Sequence, residues 1–180
     1  MNAFHSFLIL LAAFGLVFFQ SALNGVLGTR VDLLPALMVY ASLTAGPTTV
    51  ALTALAGGLW LDSLSANPLG LSVLPLVAIG AVILERRELL LREQPFAQFV
   101  LGLAASAAAP CVNLLLLLTI GQNPLLGWGT VWQIFVLTLA GGLATPGLFI
   151  LFGLLTRVFD YREVTTSSFR PDREIRRGRT

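Results

Sequence analysis

Residues 55–75 read LAGGLWLDSLSANPLGLSVLP and place one carboxylate, that of Asp62, inside a long apolar stretch. Two glycines precede Asp62, and Asn67-Pro68 with a further glycine, Gly70, follow it. A charged side chain in hydrocarbon costs free energy, so such residues face the interior of a helix bundle or a polar cavity. The stretch therefore predicts two membrane helices joined by a short turn, with Asp62 close to their junction.

The composition supports a membrane protein. The chain has 180 residues, of which 56% are hydrophobic and 11% are charged, and its mean hydropathy is +0.86. An ordinary soluble domain carries about 25% charged residues. Because several apolar runs approach the ~20 residues that cross a bilayer, we expect one all-α integral membrane domain without a separate soluble domain.

The apolar runs predict a bundle of six transmembrane helices within residues 1–156. The polar remainder, residues 157–180, is expected to be a disordered, Arg-rich cytoplasmic tail. Gly46-Pro47 is an uncharged break, and the count would be five if residues 33–64 formed one broken element. The predicted spans are residues 4–23, 33–45, 48–64, 69–84, 96–120 and 131–156.

The arginines predict the orientation in the membrane. All 11 positively charged residues are Arg, and they cluster in one short loop and in the tail. Arg30 alone lies outside these two clusters. Such clusters mark the cytoplasmic side, so with six spans both termini are expected in the cytoplasm. We interpret the clusters as contacts with anionic lipid rather than with nucleic acid. The predicted membrane-surface residues are Arg86, Arg87, Arg92, Arg157 and Arg162.

The sequence offers little for catalysis. His5 is the only histidine and Cys111 the only cysteine, and they are far apart in the chain. No phosphate-binding glycine loop, paired carboxylate or metal-ligand spacing is present in the sequence. We therefore predict a protein that is not an enzyme and has no cofactor or metal.

Small residues on the third predicted span indicate close helix packing. Ala51, Ala54, Gly58 and Asp62 follow i, i+3, i+7, i+11 spacing and share one helical face. Small residues allow helices to approach closely in lipid. This face is interpreted as packing within the bundle, with contact to a partner protein as the alternative.

Asp62 has three possible roles. It lies near the outer end of its span, and Asn67 and Pro68 are predicted as the N-cap and first residue of the next helix. A helix start presents unpaired N–H groups, so the carboxylate can brace the turn by accepting them. The alternatives are a polar contact with a partner or small ligand, and proton coupling.

Two segments carry a resemblance to a known family. DLLPALMVYASLTAGP (residues 32–47), followed by GGLWLDSLSANPLGLSVLP (57–75), resembles the MreD family of rod shape-determining membrane proteins. The well-matched part covers residues 30–84. The substrate-binding components of energy-coupling-factor vitamin transporters look similar in the same region. The matching positions are Asp32, Leu33, Leu34, Gly57, Asp62, Pro68, Leu69 and Gly70.

The resemblance implies a non-enzymatic scaffold of the bacterial cell-elongation machinery, the elongasome, in the cytoplasmic (inner) membrane. Such a subunit is expected to bind MreC. Through MreC it would connect MreB filaments to the peptidoglycan synthases, RodA and its transpeptidase partner, and so support cell shape.

The alternative function is the substrate-binding component of an energy-coupling-factor type transporter. A transporter requires a cavity with several convergent polar groups. The candidates are Asp62, Asn113 and Gln133, with Gln20 and Asn24 near an interface.

Overall fold

The computed structural model describes residues 3–27, 31–65, 68–88, 90, 94–121 and 127–160. These residues form six α-helices and no strand, which confirms the all-α prediction. Each helix lies within a few residues of its predicted range. The helices are α1 (Ala3–Leu27), α2 (Leu34–Thr44), α3 (Pro47–Leu64), α4 (Val73–Arg86), α5 (Pro95–Thr119) and α6 (Trp128–Asp160).

Three helices in the described part of the chain are long and apolar enough to cross a membrane. They contain the stretches His5–Gly25, Pro95–Thr119 and Trp128–Thr156. Helix α2, by contrast, has 11 residues and is therefore about 17 Å long, against ~30 Å of hydrocarbon. The long apolar helices indicate a membrane protein.

Helix α2 forms the centre of the bundle. Its residues from Leu34 to Leu43 are all buried, as expected for a helix that is apolar on every side. It contacts each of the other helices, which surround it in the order α1, α3, α4, α5, α6. Within the described residues α1 and α6 make no contact with each other, so the ring is open between them.

Gly46 and Pro47 separate α2 from α3, as predicted. Helix α2 ends at Thr44, Gly46 is the N-cap residue of α3, and Pro47 occupies its first turn. Proline is suited to this position because the first N–H groups of a helix have no intrahelical acceptor. Residues 33–64 thus contain two helices.

The two termini of the bundle lie at the same end. The Ser6 and Thr49 hydroxyl oxygens, near the starts of α1 and α3, are 2.8 Å apart. Near the end of α2, the Tyr40 ring stacks on Phe152 of α6 with 4.3 Å between centroids, and its centroid lies 6.2 Å from that of His5. The beginning of α1 and the later part of α6 therefore lie at the same end of the bundle.

The predicted start of the fourth helix is wrong. Helix α4 begins at Val73, with Ser72 in the N-cap position, whereas Pro68 is exposed and belongs to the preceding turn. Gly70 has φ +91°, a left-handed conformation that interrupts a helix and favours glycine. Asn67, the predicted N-cap, lies outside the described residues.

The arginine predictions are only partly within the described structure. Arg86 and Arg87 are exposed at the C-terminal end of α4. Helix α6 continues to Asp160, so Arg157 belongs to its last turns. Arg92 and residues 161–180, which include Arg162, lie outside the described residues.

Candidate functional site

Asp62 connects the end of α3 to the turn before α4. Its side chain is 1% exposed. Oδ2 accepts hydrogen bonds from the Gly70 N–H at 2.8 Å and the Ser72 N–H at 3.1 Å, and Oδ1 lies 3.3 Å from the same Ser72 nitrogen. A buried carboxylate requires such partners. The prediction that Asp62 accepts backbone N–H groups across this turn is confirmed, although the donors belong to the turn residues.

Gly58 allows α4 to approach α3 next to this carboxylate. A methyl group built on Gly58 would lie 2.7 Å from Val73 Cγ2 and 2.8 Å from Val73 Cα. One built on Gly57 would lie 3.1 Å from Leu34 Cδ2, and Ala54 is fully buried. These three small residues thus pack within the chain.

Ala51 does not take part in this packing. It is exposed, so the prediction that it packs within the chain together with Ala54, Gly58 and Asp62 is wrong for this residue, whereas contact with a partner protein stays a prediction. Helical spacing sets the direction of a side chain, but it does not determine whether a neighbouring helix reaches that level of the bundle.

A second close contact joins α5 and α6. A methyl group on Gly102 would collide with the Thr145 side chain, and one on Gly141 would collide with Ser106. Small residues therefore bring these two helices together. Gly147, by contrast, has no atom within 4 Å of such a methyl group and takes no part in this contact.

A cavity of about 490 Å³ lies at the end of the bundle where α1, α3 and α5 end and α2 and α6 begin. Among the predicted ligand-binding candidates, Gln20, Asn24, Asn113 and Gln133 all line it. Asp62 does not line the cavity, although Leu61 and Ser65 beside it do. The remaining polar lining residues are Ser21, Asp32, Ser72, Ser106 and Thr130.

Two amides of this cavity hold the segment that leads into α2. Gln20 Oε1 accepts a hydrogen bond from the Leu33 N–H at 2.9 Å. Asn24 Oδ1 accepts one from the Val31 N–H at 2.6 Å. The C-terminal part of α1 thus positions the chain before the central helix and forms one wall of the cavity.

Asp32 supplies the one acidic side chain among the described residues of the cavity wall. It is half-buried, and Oδ1 accepts a hydrogen bond from the Leu34 N–H at 3.1 Å. Removal of water from the carboxylate raises the pKa of Asp32 to about 6; the nearby Asp62 also raises this pKa, and the Leu34 hydrogen bond lowers it. The sequence around Asp32 carries no signal that this residue lines a cavity.

Three polar atoms of the cavity residues have no hydrogen-bond partner among the residues that the structure describes. They are Gln20 Nε2, Ser106 Oγ and Asn113 Oδ1. Gln20 is 1% exposed and Ser106 is 2% exposed. Unpaired buried polar atoms are uncommon in folded proteins because each one costs free energy. The cavity therefore has unused capacity for hydrogen bonding.

His5 and Cys111 are not brought together. The His5 ring lies near Tyr40 at the end of the bundle opposite the cavity, whereas Cys111 is exposed on the second half of α5. Within the described residues, no group of three or more His, Cys, Asp and Glu side chains forms a metal site. The polar side chains described above can hold backbone segments, and those of the cavity can bind a polar group by hydrogen bonds.

The fold and these sites define an all-α membrane protein that combines a carboxylate-braced interhelical turn with a polar cavity. No family model, curated protein or solved structure matches the chain.

Proposed function

We propose that this chain is a non-enzymatic scaffold subunit of the bacterial cell-elongation machinery, of the MreD type, that binds MreC in the inner membrane. One observation carries the proposal: the two segments that resemble the family meet in space. The Leu34 side chain of the first segment packs at Gly57 of the second, and within the second segment Asp62 binds the Gly70 N–H. Those positions therefore work as one structural unit rather than as scattered matches.

In this proposal the chain connects MreC, and through it MreB filaments and the peptidoglycan synthases, to a fixed point in the bilayer. A scaffold requires rigid helix contacts and no reacting groups. The close approaches at Gly58 and Gly102 provide such contacts, and His5 and Cys111 are separated in the described structure.

Co-purification from a bacterial membrane tests the proposal. We expect the tagged full-length protein to retain a single-span membrane protein that has a periplasmic domain. The Gly58→Leu variant should lose this protein, whereas Gly15→Leu should keep it, because a methyl group on Gly15 has open space around it. Recovery of an ATPase pair in place of the single-span protein would contradict the scaffold function.

The second candidate is the substrate-binding component of an energy-coupling-factor type transporter. The cavity favours it, because four amide side chains that are distant in the sequence line one space of about 490 Å³. A transporter component is expected to co-purify with the ATPase pair named above, so the same experiment separates the two functions.

We further propose that all six helices cross the membrane and that both termini are cytoplasmic. The beginning of α1 and the later part of α6 lie at one end of the bundle. Helix α4 runs toward that same end from Ser72 beside the cavity and finishes at the exposed Arg86, on the side that the arginine rule assigns to the cytoplasm.

Reporter fusions at the two termini measure this topology. A reporter that is active only in the cytoplasm should be active at both ends, and one that is active only outside should be silent at both. Readings on opposite sides would mean that α2 and α3 together cross the membrane once and that the chain has five spans.

A further inference from the structure

We propose that the cavity between α1, α5 and α6 binds a neutral, hydroxyl-rich group of the sugar type, which enters through the gap between α1 and α6. The proposal depends on the cavity alone. It holds whether the chain acts as a scaffold or as a transporter component.

The unpaired atoms define the chemistry of the ligand. Gln20 Oε1 is occupied by the Leu33 N–H, which fixes the unpaired Nε2 as a donor. Asn113 Oδ1 is an unpaired acceptor, and the Ser106 hydroxyl can donate and accept. A ligand hydroxyl also donates and accepts. A group with several hydroxyls therefore satisfies this set of donors and acceptors.

The charges on the described part of the wall do not favour an ionic ligand. The described lining contains no Arg, Lys or His, so a phosphate or carboxylate would find no cation there. It contains no aromatic ring that could hold a cation by its face. Asp32 is the single carboxylate, and one of its oxygens already accepts the Leu34 N–H. A neutral polar group is thus the best match.

The position of the cavity indicates the route of access. Ser21 on α1 lines the cavity and is exposed, so the cavity reaches the surface beside this helix. Helices α1 and α6 both line the cavity, and the backbones of their described residues do not come close to each other. The volume of about 490 Å³ is within the ~300–1,000 Å³ typical of ligand pockets. Because both helices are long enough to span the bilayer, a lipid head group can enter from the side.

The test uses the full-length protein in phosphatidylcholine nanodiscs. The probes are monoglucosyl and diglucosyl diacylglycerol in the disc and methyl glucoside in solution. We expect at least one probe to raise the thermal unfolding midpoint in a concentration-dependent way. A shift with the glycolipids alone identifies a lipid head group, and an equal shift with methyl glucoside identifies a soluble sugar. Both results support the proposal, and no shift with any probe overturns it.

Variants locate the binding. Ser106→Ala combined with Asn113→Leu removes two atoms that have no hydrogen-bond partner among the described residues. Because Ser106 also packs at Gly141, the ligand-free unfolding midpoint is measured alongside to check that the variant folds. Sugar affinity should decrease roughly tenfold or more. Ser42→Ala is the matched control, because Ser42 is also buried and unpaired but does not line the cavity. Unchanged affinity in the double variant, or stronger binding of phosphatidylglycerol or choline at the same site, would overturn the proposal.

Discussion

Replacing Gly58 by leucine is expected to reduce the amount of folded protein severely. Val73 Cα and N would lie 2.8 and 2.9 Å from the first side-chain carbon, and backbone atoms cannot rotate away as a side chain can. Overpacking typically costs about 1–3 kcal/mol, and a leucine against fixed backbone belongs at or above the upper end of this range. Helices α3 and α4 must therefore separate.

Membrane abundance and the unfolding midpoint in detergent measure this effect. Gly15→Leu on α1 is the control, because nothing lies within 4 Å of a methyl group at that position. We expect the control to remain as abundant as the wild type. Normal abundance and stability of Gly58→Leu would show that α3 and α4 do not approach each other as closely as in the structure.

The sequence predicted the helices well because their signal is local. A run of apolar residues and a Gly-Pro break are enough to place α2 and α3. The start of α4 could not be placed, because Asn67-Pro68 has the composition of a helix start whereas the left-handed Gly70 and the acceptor atoms of Asp62 decide the turn. The conformation of Gly70 and the hydrogen bonds to Asp62 both depend on tertiary structure.

The cavity shows a different limit of prediction from the sequence. Gln20, Asn113 and Gln133 were recognised as polar residues in apolar helices, but nothing in their spacing indicates that they share one space. Their convergence follows from the order of helices around α2 and from the open side between α1 and α6. Asp32 was recognised only as part of a motif, because its contact with the cavity depends on how α1 holds the preceding segment.

Gly58 and Asp62 act on the same junction. Gly58 permits the approach of Val73, and Asp62 binds the N–H groups of Gly70 and Ser72 just before it. Residues that share one contact are usually not additive in their effects on stability. An Asp62 substitution should therefore lower the free energy of unfolding less in a Gly58 variant than in the wild type.

Asp62→Leu is expected to destabilise the protein strongly, and Asp62→Asn only mildly. Leucine leaves the Gly70 and Ser72 N–H groups without an acceptor, at about 1–3 kcal/mol for each unpaired buried donor. An asparagine oxygen in the place of Oδ2 can still accept both N–H groups, because Oδ2 itself is 2.8 Å from Gly70 N and 3.1 Å from Ser72 N. The negative charge of Asp62 is then not required to hold this turn.

Abundance and shape complementation, measured for both variants in a rod-shaped host, distinguish the roles of Asp62. If the carboxylate only braces the turn, Asp62→Asn should keep both properties and Asp62→Leu should lose abundance first. Ser63→Ala is the control on the same turn of α3, since Ser63 is exposed and its hydroxyl donates only to the Trp60 carbonyl. An abundant but inactive Asp62→Asn protein would contradict the brace. Function would then depend on the charge itself, as in a partner contact or proton coupling, because the amide retains the shape of the side chain and one of its acceptor oxygens.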